Sequence, residues 1–87
     1  GGAVPRQQLV ALLYRYATLM GYANDARADL SVYPDAGTVA SYAVEPLQWS
    51  VANSIVAGTS DGILNPTGTA TRAQFAVILY RFWEQVG

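Results

Sequence analysis

The sequence predicts a small all-α fold of about three main helices, and three observations lead there. Two stretches carry apolar residues at the i, i+3, i+4, i+7 spacing of one helix face: Leu9, Leu12, Leu13 and Tyr16 early, Phe75, Ile78, Leu79 and Phe82 late. The two stretches resemble each other in sequence. The second also opens on a well-specified helix start, Thr71-Arg72-Ala73-Gln74.

The first helix is expected from about Pro5 to Met20. Pro5 suits a first turn, where its missing N–H is not needed, and Gly21 is placed to end the helix in a left-handed conformation. Residues 24–37, with scattered acids, Pro34 and Gly37, read as a connecting loop carrying Tyr33-Pro34-Asp35. A second helix should begin between Ser41 and Pro46, with Pro46 favouring a start near Glu45. Leu47, Val51 and Ile55 would share one of its faces, with Trp49, Ala52 and Val56 beside it. Two turn signals follow, Asp61-Gly62 and Asn65-Pro66, around Ile63-Leu64. The last helix starts with Thr71 as N-cap and Gln74 three residues on, a capping box that satisfies two otherwise unpaired backbone donors.

Composition excludes much chemistry. The chain has 87 residues, 52% of them hydrophobic and 13% charged, enough for one modest core. It contains no His, Cys or Lys, which removes Ser-His and Cys-His nucleophiles, ordinary zinc sites, disulfides, Schiff bases and P-loops. An absence of Cys is compatible with secretion. Five Arg against six acids give a net charge of -1 and no basic stripe, so nucleic acid is not an expected partner. No apolar run reaches the roughly 18 residues of a membrane span, so no membrane insertion is expected. Asp61 stands beside Thr59, Ser60 and Gly62 without the alternating oxygen ligands of a calcium loop; no metal and no cofactor are expected. Nothing in the spacing of the acids selects a catalytic pair, and no catalytic residue is expected. Gly1-Gly2 reads as a cloning scar or linker remnant, and the chain as a piece of a longer protein.

Setting Pro5-Arg6-Gln7-Gln8 through Tyr16 over Thr71-Arg72-Ala73-Gln74 through Phe82 matches Arg, Gln, Leu, Tyr and Arg at the same positions, an internal repeat. The first copy lacks its own preceding helix and loop. The chain divides accordingly into a tag or linker remnant (1–4), the C-terminal half of a first motif with its connecting loop (5–37), and a complete motif (38–87).

In order and spacing the chain resembles the S-layer homology family. The resemblance rests on Tyr33-Pro34-Asp35, Trp49-Ser50, Ser54-Ile55-Val56-Ala57-Gly58, Asp61-Gly62 through Asn65-Pro66, Thr71-Arg72-Ala73-Gln74 and Arg81-Phe82. It covers residues 5 to about 84. Four positions depart from the family pattern: Tyr33 for Phe, Ser54 for the first turn Gly, Gln74 for Glu, and Pro5 for the leading Thr of the first copy. The resemblance implies a non-catalytic module on the extracellular face of a bacterium, in the cell wall or S-layer. It would bind secondary cell-wall polysaccharide, with pyruvylated sugars as the expected anionic ligand. It also implies that grooves between neighbouring motifs use the helix-start Arg, so the expected ligand-binding residues are Arg72, then Arg6, with Trp49, Asp35 and Gly58 after them.

The residues themselves leave alternatives open. A cation in the first turn opposes the helix dipole by roughly 0.3–1 kcal/mol, so Arg72 needs compensation. Either Asp35 or Asp61 pairs with it, or an external anion does. Trp49 could stack on a sugar, but an aromatic beside an apolar stripe more often belongs to the core. The competing function is a protein-interaction or oligomerisation module, in which bare helix faces pack on a neighbouring motif or another copy of the chain.

Overall fold

The computed structural model describes residues 4–56 and 62–86. Among the described residues there are three α-helices, α1 (Arg6–Leu19), α2 (Ser41–Ala52) and α3 (Arg72–Gln85), with short 3₁₀ turns at Leu30–Val32 and Ala36–Thr38 between the first two. Among the described residues the sole extended pairing is a single antiparallel bridge between Pro5 and Thr69. No helix is long and apolar enough to cross a membrane among those residues.

Helix α1 has no side-chain cap, because Pro5 occupies the N-cap position. Its first-turn donors turn instead to a segment far along the chain: the Arg6 N–H donates to the Gly68 carbonyl (2.9 Å) and the Gln7 N–H to that of Pro66 (3.0 Å). The helix ends as expected on Gly21 at φ +76°, and the Tyr22 N–H closes the turn on the Ala17 carbonyl at 2.7 Å.

Helix α2 begins at Ser41, four residues before the start that Pro46 suggested. The Gln7 side-chain oxygen accepts from the Ala40 N–H (2.9 Å) and fixes this earlier start. Pro46 then sits inside the helix, where it cannot donate to the Tyr42 carbonyl. That carbonyl lies at an exposed residue, so water can take the missing donor's place, while the pyrrolidine ring is buried. The helix stops at Ala52, so Ile55 and Val56 enter the core from the turn beyond it. Ser54, where the family pattern has Gly, adopts φ 60°, and the Ile55 N–H reaches back to the Ser50 carbonyl (2.9 Å).

Helix α3 forms the expected capping box: the Gln74 N–H donates to Thr71 Oγ1 (3.1 Å) and the Thr71 N–H to Gln74 Oε1 (3.0 Å).

The core gathers Leu9, Val10, Leu13 and Ala17 of α1, Leu47 and Trp49 of α2, Leu30, Ile55, Val56 and Leu64 of the connections, and Ile78 and Phe82 of α3. Helix α1 thus buries a stripe rotated from the expected one: Val10 and Ala17 are sealed, whereas Leu12 is 59% exposed and Tyr16 39%. The packing of α1 on α2 selects this face, and a periodicity count cannot separate two adjoining apolar stripes. Trp49 is fully buried, with edge-on ring contacts to Tyr14 (5.3 Å) and Phe82 (6.3 Å).

Candidate ligand-binding site

Three of the expected site residues converge on one loop, residues 62–70, that joins the core to α3. Its shape is set locally by Asn65 at φ 52° and by Gly68, whose N–H donates to the Asn65 carbonyl (3.2 Å). A Cβ on residue 68 would meet the Asn65 side-chain amide, which would have to move aside to admit it. Asp35 holds the loop from one side: its Oδ1 accepts from the Leu64 N–H (2.9 Å) and its Oδ2 from that of Asn65 (2.8 Å). Partial desolvation pushes the Asp35 carboxyl upward, but the backbone donors of Leu64, Asn65 and Asp35 itself outweigh it and hold the group below its ordinary value.

Arg6 holds the loop from the other side. Its Nε donates to the Leu64 carbonyl (3.2 Å), its side chain is tucked in at 8% exposure, and burial lowers its pKa. Arg6 and Asp35 therefore grip adjoining backbone groups of the same loop, and both side chains face the protein.

Arg72, the counterpart of Arg6 in the repeat, has the opposite environment. Its side chain is exposed, and among the described residues nothing accepts from its guanidinium. The N–H groups of Arg72 and Ala73, the first two donors of α3, also find no partner there. The ion pair with Asp35 that would have compensated Arg72 is not formed, since that carboxylate is committed to the loop. Asp61, the other acid considered, and Gly58 lie outside the described residues. Beside Arg72 opens a concavity of about 280 Å³ lined by Val4, Ala70, Thr71, Arg72 and Phe75. Val4 and Phe75 had no sequence signal as site residues. Val4 arrives through the pairing of residues 4–6 with 68–70, in which the Ala70 N–H donates to the Val4 carbonyl (3.2 Å). Trp49 is not part of this group; fully enclosed, it offers no open ring face for stacking. Its indole Nε1 and the neighbouring Ser50 hydroxyl are buried without a hydrogen-bond partner.

A larger concavity of about 460 Å³ lies between α1 and α2, bordered by Leu12, Tyr14, Tyr42, Glu45 and Pro46. Tyr14 and Glu45 on its rim are already paired: Arg27 donates to the Tyr14 hydroxyl (2.8 Å), which donates to Glu45 Oε1 (3.0 Å), and the guanidinium lies 5.5 Å from the Tyr14 ring centre. Among the described residues no cluster of three or more acidic side chains is placed to hold a metal ion.

Comparison with known proteins places this arrangement. The S-layer homology domain family matches residues 32–76, more than half of the chain. The chain belongs to the S-layer homology family. It is also 32% identical over 85 residues to the surface-layer 125 kDa protein of Lysinibacillus sphaericus, an alignment spanning 94% of this chain and 7% of that protein. No solved structure gives a comparable match. As an S-layer homology module it is a cell-surface, S-layer-associated unit of a structural family. The family match runs from the end of the first 3₁₀ turn into the first two turns of α3 and includes Asp35, Trp49 and Arg72.

Proposed function

We propose that this S-layer homology module anchors an exported protein outside a bacterial cell by binding secondary cell-wall polysaccharide, with an acidic, pyruvylated sugar seated at the start of α3. The observation that carries the reading is the exposed Arg72 guanidinium beside two unpaired first-turn N–H groups. A sugar carboxylate would accept from both, and its negative charge would offset the unfavourable cation at the helix N-terminus. Phe75 and Val4 supply apolar surface for the ring carbons at the same opening. Arg6 and Asp35 act one step removed, by holding the loop from which Arg72 emerges, and Trp49 by supporting it from the core. No step of this function is catalytic.

The test is calorimetric titration of purified wall glycan, with and without its acidic substituents, into the wild type and Arg72→Ala. Binding should depend on both the substituent and the arginine. Equal binding by the two proteins would sink the role given to Arg72.

A protein-interaction reading has its own support in the apolar side chains left open: Leu19 is 86% exposed, Leu12 59% and Trp83 51%. Light scattering at high protein concentration would reveal self-association through them.

A further inference from the structure

Pro46 breaks a helix rule at the edge of the larger concavity, the one of about 460 Å³ between α1 and α2. A proline inside a helix withholds the donor due to the carbonyl four residues earlier, and its ring stands against that carbonyl. In α2 the carbonyl belongs to Tyr42, and Tyr42 and Pro46 both border the concavity. One wall of the opening therefore carries a backbone acceptor without its helix partner. From the other wall α1 presents Gln8, Ala11, Leu12 and Arg15, a single face at helical spacing. Ala11, Leu12, the buried Pro46 ring and the half-exposed Tyr42 ring make the lining mainly apolar. The Arg15 side chain is exposed, and among the described residues nothing accepts from its guanidinium. The helix dipole does not account for it, because no basic residue lies in the last turn of α1. Glu45, the acid on the same rim, already accepts from the Tyr14 hydroxyl (3.0 Å) and lies 3.8 Å from Arg27. The groove thus keeps one uncompensated cation beside an apolar lining and an open carbonyl.

From this combination we propose that the groove binds the carboxyl-terminal end of a peptide. The terminal carboxylate pairs with the Arg15 guanidinium, the last peptide N–H donates to the Tyr42 carbonyl, and an apolar side chain packs on Leu12, Pro46 and the Tyr42 ring. Gln8, whose side-chain amide is also unengaged among the described residues, lies about 10 Å from Arg15 along α1 and meets the preceding peptide group. An extended chain covers that distance in about three residues. The volume suits such a chain end and is too small for a helix or a folded partner. Charge decides the polarity of the ligand: with Glu45 engaged, Arg15 selects a carboxylate over an amine. The groove shares no residue with the concavity beside Arg72, so the proposal stands apart from the glycan reading.

The test uses the intact, isotope-labelled chain and N-acetyl-leucine, the smallest probe that carries the carboxylate, the N–H and an apolar side chain together. A ligand of that size should bind with a Kd on the order of a few millimolar, read from saturable shifts in the amide resonances of residues 8–15 and 42–47. N-acetyl-leucinamide, which lacks the charge, should bind about tenfold more weakly, and Arg15→Ala should weaken N-acetyl-leucine by about the same factor. Arg15 is exposed and engaged by nothing among the described residues, so this variant keeps its fold, and Arg15→Lys should recover part of the loss. The acetoxy analogue, an ester in place of the amide, should bind about fivefold more weakly than N-acetyl-leucine to the wild type. Pro46→Ala returns a donor to the Tyr42 carbonyl and should abolish that difference. Absence of saturable shifts at these residues would overturn the proposal, as would an amide that binds as well as the acid. A preference for the N–H that survives in Pro46→Ala would overturn the role given to the Tyr42 carbonyl. Displacement of the probe by wall glycan, in the wild type and in Arg72→Ala alike, would assign the groove to the polymer and overturn the peptide reading.

Discussion

Replacing Ser54 by Gly should make the protein more stable. Ser54 lies in the left-handed region at φ 60°, its N–H donates to the Val51 carbonyl (3.1 Å), and its side chain is exposed and engaged by nothing among the described residues. The conformation is imposed by the exit from α2, where the Ile55 and Val56 N–H groups both turn back to the Ser50 carbonyl and carry two apolar side chains into the core. A Cβ in that conformation costs about 1–2 kcal/mol, and the extra freedom of glycine in the unfolded chain returns about 0.5–1 kcal/mol of the gain. The net stabilisation is therefore about 0.5–1 kcal/mol, and in a domain of this size it should raise Tm by about 2–8 °C. Thermal unfolding followed by far-UV circular dichroism measures it, and urea unfolding should show a higher midpoint with an unchanged slope. Ser54→Ala should sit close to wild type and Ser54→Val below it. A Ser54→Gly protein no more stable than wild type would show that the turn carries no such strain.

The repeat's two arginines should separate cleanly: Arg6→Ala should cost about 1–3 kcal/mol in urea unfolding, because it orphans the Leu64 carbonyl, whereas Arg72→Ala should stay within about 0.5 kcal/mol of wild type. Trp49→Ala should cost about 3–5 kcal/mol, visible as loss of the cooperative thermal transition. Asp35 carries a pH dependence. Its folded-state value lies below the unfolded 3.8, so its contribution is complete above that value and is lost as the pH falls through the lower folded one. Asp35→Asn should flatten the acid limb of a stability profile measured by urea midpoint against pH, and an unchanged limb would count against the Asp35 clamp on Leu64 and Asn65.

Much of the helical framework was legible in sequence, because its determinants are local. The capping box at Thr71 and Gln74 and the left-handed Gly21 are read from residues within a turn of where they act. What was not legible depends on distant partners. Pro46 argued for a late start to α2, but the start is set by Gln7, a residue on another helix. The buried stripe of α1 runs through Val10 and Ala17 because α2 lies on that side, although Leu12 and Tyr16 fit the helical spacing as well. Arg6 and Arg72 share a motif yet differ in exposure, since only the first is met by Leu64, Pro66 and Gly68. Trp49 was weighed as a stacking platform or core, and its complete burial assigns it to the core.

The clasp between the start of α1 and the 62–70 loop also bears on how the chain reaches its native state. Arg6 and Leu64 are 58 residues apart in sequence. Closing a loop of that length carries an entropic cost whose length-dependent part is ~3.6 kcal/mol. It is recovered only once the intervening elements are in place. A helical chain with mainly local contacts would fold quickly; this one should fold more slowly than its helix content suggests. The first turn of α1, although close to the chain end, should exchange its amide hydrogens as slowly as the core instead of fraying.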